Sequence, residues 1–565
     1  MPRLQEARLL AATGWRMVRE DPMWLAVQAA RRFAPAKRLA LAPRRQSHGL
    51  LAALGAYIAD QPEQAAALLR ARGVKGTRPG DALAARVAVQ VGAPDAIDPV
   101  ALARPEVAAA LAVERGDLTG ALQSLARTPG HAQRKLLAER RMLQPGFRLP
   151  VPDVAWRRPG SDVRVLHILT NSLPHTRSGY TGRTHHLLKA LQSAGVSVDA
   201  VTRIGYPTTV GLLGAADVDV VDCVSYRRLL VPKLAGAPDA RLEQQVAALI
   251  PVARRFDASI LHTTTDYTNA LVTQAVADAL RLPWVYEMRG QLELSWVAAR
   301  AEAYRTEAAD SERVRLLRAK EAELATAADA VVVLSGVQRD DMVARGLDPD
   351  RIVIVPNAID PGLLKRNTSP ADARRRLGLP TDAVWVGTVS SLVGYEGLDD
   401  LLRAVALLRG EGLDVRALMV GDGVSRPSLM ALAHELGLGE NALFPGRVPA
   451  AEAAGWFEAL DIFAVPRKDT PVTKVVTPLK PVEAMALARP VVASDLPALR
   501  EVAADGAAGE LFTAGDPASL AEALSRLLDP DVRAARGRAG RVAVHERTWS
   551  AGASTLLRVY ERLRG

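Results

Sequence analysis

The spacing of hydrophobic positions changes character along the chain, and each change predicts a different kind of element. Up to about residue 145, small residues and leucines recur three and four apart, as in GLLAALGAYIADQPEQAAALLRARG and AALAVERGDLTGALQSLART. That is the period of helices with one apolar face, and the breaks at DQP and RGD predict tight turns between paired helices. Residues 144–162, QPGFRLPVPDVAWRRPGSD, carry four prolines, which fix φ and remove backbone donors, so a linker is expected there. From residue 163 the pattern becomes short continuous runs of branched residues: VRVLHIL, VSVDAVTR, ASILHTTT, PWVYEMRG, ADAVVVLS and IVIVPNAI, with helical stretches such as TGRTHHLLKALQSAG between them. A second series starts near residue 383 with AVWVGTVS, VRALMVGDG, ALFPGRV, DIFAVPR and PVVASDL, again alternating with helices. Such alternation predicts parallel βαβ units and a buried sheet in each series.

The expected fold class is therefore α/β, with two Rossmann-like parallel sheets preceded by an α-helical domain. The expected boundaries are 1–145 for a helical module, 146–162 for the linker, 163–362 and 363–546 for the two α/β domains, and 547–565 for a closing helix packed back on the first of them. The helical pairs resemble those of tetratricopeptide-like arrays, although no period repeats three times.

Composition narrows this picture only a little. Of 565 residues, 49% are apolar and 24% charged, as in ordinary soluble globular proteins, while aromatics make up 4%, so the cores must be built from Ala, Val and Leu. The single cysteine, Cys223, excludes a disulfide within the chain and a cysteine-based zinc site. The first residues lack an uninterrupted apolar core like that of a secretory signal, and no run of 18 apolar residues occurs. A cytoplasmic location is expected.

The net charge of +10 is uneven: residues 1–50 hold ten Arg or Lys against three acids. Two readings stay open for this segment. With Trp15, Met17, Met23, Trp24 and Phe33 it would make a peripheral contact with an anionic membrane surface, or it is a solvated helical face. No motif for nucleic acid accompanies the charge, and no nucleic-acid partner is expected.

From residue 163 to about 560 the chain resembles the family-4 retaining glycosyltransferases of the GT-B fold. Eight segments carry the resemblance in order: SGYTGRTHHLLKAL, VYEMRG, VVVLSGVQRDDM, IVIVPNAID, VGTVSSLVGYEGLDDLLRA, LMVGDG, LFPGRVP and TPLKPVEAMALARPVVASDLPALREV. Residues 1–150 lie outside it. The resemblance implies two domains facing across a cleft, the first for an acceptor and the second for a nucleotide diphosphate-sugar donor, a UDP- or GDP-sugar foremost. It implies retaining, metal-independent transfer of a hexosyl group without a cofactor, by front-face attack. The YEGLDDLL and TPLKPVEAMA variants are similar to a bacterial branch that builds exopolysaccharide or cell-surface glycans. Together with the basic start, that points to a glycan or lipid-linked acceptor at the inner face of the cell membrane.

Transfer from such a donor requires the growing charge of the leaving diphosphate to be stabilised by a metal, by cations or by backbone donors. No DxD-type metal motif stands at a strand end, so amides and basic residues are the expected agents. In the resemblance, Thr477, Pro478 and Leu479 form a turn that opens a helix whose first amides face the diphosphate, and Glu483 takes the ribose hydroxyls. The plainer reading of Glu483 is a first-turn acid on the helix dipole. Arg467, Lys468, Lys474 and Lys480 crowd this region, with Arg467 and Lys480 the stronger phosphate candidates.

Two departures from the family stand out. Val475 occupies the place of a Glu that often contacts the donor sugar. Ser391 and Glu396 occupy places where many relatives carry Arg and Lys. Ser390, Ser391 and Gly394 permit close backbone approach and hydroxyl donation, while Glu396 is expected on sugar hydroxyls or in solvent.

Near the first strand, Ser178, Gly179, Tyr180 and Arg183 are placed by the resemblance beside the donor, with His185 and His186 structural. At the end of YEMRG many relatives carry a His, and Arg289 takes that position here. Arg289 cannot act as a base but would stabilise departing charge, and Glu287 is a candidate for sugar or acceptor hydroxyls. The alternative is a buried Glu287–Arg289 ion pair. His262 is a second candidate beside the donor, or a core histidine. Gly421, Gly423, Arg447 and Val448 are expected around the base. The rival to a transferase is a catalytically inactive nucleotide- or sugar-binding protein of the same fold, or an assembly protein built around the helical module.

Overall fold

The structure, a computed structural model, describes residues 2–20, 25–27, 29–30, 49–77, 80–155 and 160–564, with side chains omitted for residues 2–5 and 16–20. Most of the basic, aromatic start, including Met17, Met23, Trp24 and Phe33, therefore lies outside the described side chains. The chain divides into two compact units. The first comprises residues 1–176, 198–286 and 291–329, and the second residues 177–197, 287–290 and 330–565.

In the first unit the helical spacing yields paired helices, Leu50–Ile58 with Pro62–Arg72 and Pro105–Arg115 with Leu118–Ser124. The RGD turn ends one helix and starts the next. Gly116 takes the left-handed conformation at φ 80°, and Asp117 accepts from the Gly120 amide at 2.7 Å. The core is rich in alanine, with Ala53, Ala56, Ala84 and Ala88 fully buried, and Tyr304 from the helix Glu302–Ala309 completes it.

That shared core is reinforced by partly buried charge. Glu312 accepts from the Thr119 amide at 2.7 Å, from Thr119 Oγ1 at 2.9 Å and from Arg140 Nε at 3.0 Å. Glu114 accepts from Gln90 at 2.8 Å and from Arg300 at 2.7 Å. The linker is tied down as well, since Gly146 N donates to Glu323 and Lys320 Nζ to Phe147 O. The N-terminal helix Pro2–Glu20 sends Glu6 to the amides of Gly214 and Ala215 at 2.9 and 3.2 Å. The described residues up to 155 thus share core and charge network with the α/β part of this unit.

The strands of this unit are β1 (Arg164–Leu169), β2 (Ser197–Thr202), β3 (Val218–Val221), β4 (Val224–Arg227), β5 (Ile260–Thr264) and β6 (Trp284–Glu287), in the order β3-β4-β2-β1-β5-β6. Beside the expected parallel units lies an antiparallel β3–β4 hairpin that the sequence pattern did not reveal. Its turn places Asp222 and Cys223 at φ 45° and 69°, the geometry of a tight two-residue hairpin. Val220 is 64% exposed, so this edge lacks the continuous burial that marked the other strands.

The second unit contains β7 (Ala330–Val333) paired in parallel with β8 (Ile352–Ile354), and a six-stranded sheet. Its strands are β9 (Val384–Val389), β10 (Val415–Val420), β11 (Ala442–Gly446), β12 (Ile462–Val465), β13 (Val491–Ser494) and β14 (Gly509–Phe512). They run in the order β11-β10-β9-β12-β13-β14 with every pair parallel. Adjacent residues of β9 enter different cores, Val386 one and Trp385 the other, so both faces of the sheet are covered. The last helix, Trp549–Arg564, lies on the helix Gly179–Ser193, with Trp549 stacked on His186 at 5.6 Å.

The strand order fixes where ligands belong. After β9 the chain builds outward to β10 and β11, then returns to β12 on the other side of β9. The switch point lies between β9 and β12, and open α/β sheets bind ligands outside the carboxyl ends of such strands. In the first unit the same logic places the switch point between β1 and β5.

Candidate functional site

The loops after β9 and β12 meet at the switch point of the second unit. Arg467, two residues beyond β12, donates from Nε and Nη2 to the Glu396 carboxylate at 3.2 and 2.8 Å, and from Nη1 to Val476 O at 3.0 Å. Glu396 therefore faces a cation, where sugar hydroxyls or solvent had been expected. The neighbouring bases are also engaged. Lys468 binds Asp399 and Asp400 at 3.0 and 2.6 Å, and the exposed Lys474 pairs with Asp469.

The TPLKPVEAMA segment forms the turn and helix that its pattern suggested, Lys480–Ala486, with no side chain capping Leu479. Lys480 Nζ donates to Glu483 at 2.8 Å and lies 5.6 Å from the Phe457 ring centre. Thr477 is buried, its carbonyl accepts from Asn357 Nδ2 at 3.2 Å, and its hydroxyl has no partner among the described residues. Asn357, from the IVIVPNAID segment, was not singled out in the sequence, although its motif was.

The two glycines expected around the base allow two loops to approach closely. A Cβ on Gly421, whose φ is 139°, would stand 1.8 Å from Ser390 O, and one on Gly423 would stand 2.2 Å from Leu392 O. Ser390 Oγ lies 3.1 Å from Thr388 Oγ1, and Ser391 is exposed. Arg447 is exposed and Val448 is packed against the core on one face of the sheet.

A second cluster in this unit gathers Arg183, Glu287 and Arg289. Glu287 is fully buried and accepts from Arg183 Nε and Nη2 at 2.9 and 2.8 Å through one oxygen, and from Arg289 Nε at 2.8 Å through the other. Arg183 also donates to the carbonyls of Val355 and Pro356 at 2.7 and 2.9 Å, and Arg289 to Tyr180 O and Thr184 Oγ1. Burial holds the Arg183 guanidinium below its usual pKa, and Glu287 counters part of that shift. The ion-pair alternative for Glu287 and Arg289 is thus the arrangement observed, extended by Arg183. Gly179 is exposed behind the cap Ser178, and the half-exposed Tyr180 directs its hydroxyl toward Gly290, 3.6 Å from where a Cβ there would sit.

His262 belongs to the first unit. It sits inside β5 of the first unit, fully buried, opposite His167 of β1 and stacked on it at 4.5 Å. Near the switch point of that unit are polar groups that no sequence motif singled out. Arg203, just past β2, has a buried Nε without a partner among the described residues, and so does Asn171 Oδ1 just past β1. Burial lowers the Arg203 pKa, and Asp266 opposes that shift. Among the described residues, no three His, Cys, Asp or Glu side chains are grouped as a metal site needs, and no helix is long and apolar enough to cross a membrane.

Comparison with known proteins decides the family. Residues 381–530 match the model described as Glycosyl transferases group 1, and residues 178–358 match the Glycosyl transferase 4-like domain. The D-inositol 3-phosphate glycosyltransferase of Thermomonospora curvata is 30% identical over 433 residues, covering 71% of this chain and 95% of that protein. The chain belongs to the group 1 glycosyl transferases. The D-inositol 3-phosphate glycosyltransferase 1 of Catenulispora acidiphila is 29% identical over 425 residues, covering 70% of this chain and 95% of its own.

Solved structures show the same fold for this glycosyltransferase. Sucrose-phosphate synthase from Thermosynechococcus elongatus superposes with a TM-score of 0.57 at 22% identity, over 71% of this chain and 99% of that one. Anabaena HepE in complex with UDP gives 0.55 at 17% identity, over 71% and 100%. Among the first 150 residues, which the sequence set apart from the family resemblance, the described ones are mostly helical.

Proposed function

We propose that this glycosyltransferase moves a hexosyl group from a nucleotide diphosphate-sugar, with retention of anomeric configuration and without a metal ion. The observation that carries the reading is the switch point between β9 and β12, where Arg467 donates to the carbonyl of Val476 in the segment that runs through Thr477, with its buried hydroxyl, into the helix Lys480–Ala486. In this reading Glu483 binds the ribose, Lys480 and Arg467 meet the diphosphate, and Ser390, Ser391, Gly421, Arg447 and Val448 frame the nucleoside. The complexes of HepE with UDP and with UDP-glucose support a uridine donor. Arg289 and Glu287 stabilise charge on the sugar side, held by Arg183 and the Tyr180 carbonyl, with Gly179, Tyr180 and Arg183 beside the donor.

The acceptor we favour is a glycan or lipid-linked saccharide of cell-surface polysaccharide synthesis, reached at the inner face of the membrane. The exposed Arg8 and Trp15 on the N-terminal helix support a peripheral membrane contact. A second acceptor class, a phosphorylated polyol, is favoured by the names of the curated relatives and by the buried, unpartnered Arg203 Nε in the first unit.

The test is product analysis. Purified protein is incubated in EDTA with a UDP- or GDP-sugar and either a lipid-linked saccharide or an inositol phosphate, and the anomeric configuration of the product is read by NMR. An α-linked product from an α-configured donor supports the reading. An inverted product, or turnover that returns only with a divalent cation, contradicts it. Which acceptor is glycosylated decides between the two classes.

A further inference from the structure

The two loops at the switch point of the second unit are fixed to each other by more than one salt bridge. The Lys468 amide donates to Tyr395 O at 3.0 Å, and Thr473 Oγ1 holds Lys468 O at 2.7 Å. Gly397, at φ 67°, lies so close to the β12 loop that a Cβ would stand 1.7 Å from Pro466 O. Ser494 Oγ secures the carbonyl of Arg467 itself at 2.7 Å. The backbone of Arg467 is thereby immobilised, and its position across the switch point is set by the fold.

Its side chain is fixed just as firmly, by Glu396. The two contacts from Nε and Nη2 to one carboxylate define the plane of the guanidinium, and the contact from Nη1 to Val476 O sets its rotation. Side-chain exposures of 9% for Arg467 and 14% for Glu396 place the pair at the protein–solvent boundary, where charge is only partly screened. A guanidinium so held still has an N–H on each terminal nitrogen beyond those used, in a planar fork matched to phosphate oxygens.

We propose that Glu396 is a positioning residue for Arg467. It holds the guanidinium over the switch point, so that the cation serving the donor's diphosphate comes from the loop after β12. The loop after β9, with Ser390, Ser391 and Glu396, supplies the anchor and no cation of its own. The proposal rests on the nucleotide-donor reading above. It differs from a purely neutralising role for Glu396, because a neutraliser would compete with the diphosphate and its removal would tighten binding.

The experiment measures dissociation constants for UDP and GDP, with donor KM and kcat, on the full-length protein and three variants whose melting temperatures are recorded alongside. Arg467→Ser weakens nucleoside diphosphate binding by about thirtyfold, the value of a charge-assisted pair of hydrogen bonds. Glu396→Gln weakens it by about tenfold, by loosening the guanidinium. Both effects fall on the dissociation constant and KM, with kcat changed less. The double variant Glu396→Lys with Arg467→Ser returns the cation from the opposite loop and recovers binding to within about threefold of wild type. Equal or tighter binding by Glu396→Gln overturns the proposal, as does a double variant no better than Arg467→Ser. Wild-type protein that binds neither UDP nor GDP overturns the donor reading and this proposal with it.

Discussion

Arg183 and Glu287 stand 104 residues apart in sequence and are joined by hydrogen bonds of 2.9 and 2.8 Å, both side chains almost wholly out of solvent. The same carboxylate holds Arg289 through its other oxygen. A single buried anion thus holds two cations at the end of β6. Its removal leaves both uncompensated.

Glu287→Gln is therefore expected to destabilise the fold by about 3–5 kcal/mol, the usual cost of breaking a buried ion pair from one side. Thermal unfolding measures this. A variant melting within a degree of wild type would show that the cluster is better solvated than its burial implies.

Glu321 gives a pH dependence of defined sign. It is 1% exposed, accepts from the Tyr286 hydroxyl, and is pushed up to about 8, chiefly by burial. The folded state keeps this proton to about pH 8, whereas the unfolded chain loses it near 4.5. The stability it contributes is fully present below pH 4.5 and lost as pH rises to 8, by roughly 3–5 kcal/mol. Glu321→Gln should flatten that decline in denaturant titrations between pH 5 and 8, and an unchanged profile would count against it.

His262 separates packing from chemistry. Its stack on His167 inside the sheet predicts that His262→Ala costs about 2–4 kcal/mol through the cavity left behind. Measured below its melting transition, the variant should keep kcat within about threefold of wild type. A hundredfold loss of kcat in a protein that melts normally would assign His262 to catalysis.

The helical region is predicted to be inseparable from the α/β part of its unit. When residues 1–150 are deleted, Glu312 loses Thr119 and Arg140, Arg300 loses Glu114, and the side of Tyr304 covered by the alanine core is exposed. Deletion should give insoluble or strongly destabilised protein, assayed by expression and melting. A soluble, fully active fragment would support a separate targeting or assembly role.

Much of the fold was readable because buried parallel strands require continuous apolar runs, as in VRVLHIL, AVWVGTVS and DIFAVPR. The β3–β4 hairpin was missed because an exposed edge strand has no such run, and GELF was too short and polar to signal β14. The site was legible as positions but not as partnerships. Glu396 and Arg467 were each noticed, yet nothing local in the sequence indicates that residues 71 apart would pair. Arg183 was read as facing the donor, and only the fold shows that carbonyls and Glu287 engage its guanidinium. Asn171 and Arg203 escaped notice because an unpartnered buried atom is a property of packing, invisible in a motif.

The most direct test of the central account is release of nucleoside diphosphate from a panel of UDP-, GDP-, ADP- and TDP-sugars in EDTA, by wild type and by Glu483→Ala. Wild type is expected to turn over one donor, and the variant to lose about a hundredfold or more in kcat/KM, as when a charged acceptor of ribose hydroxyls is removed. Equal turnover by both proteins would remove Glu483 from the donor site. The absence of both turnover and nucleotide binding across the whole panel would contradict a nucleotide-sugar transferase altogether.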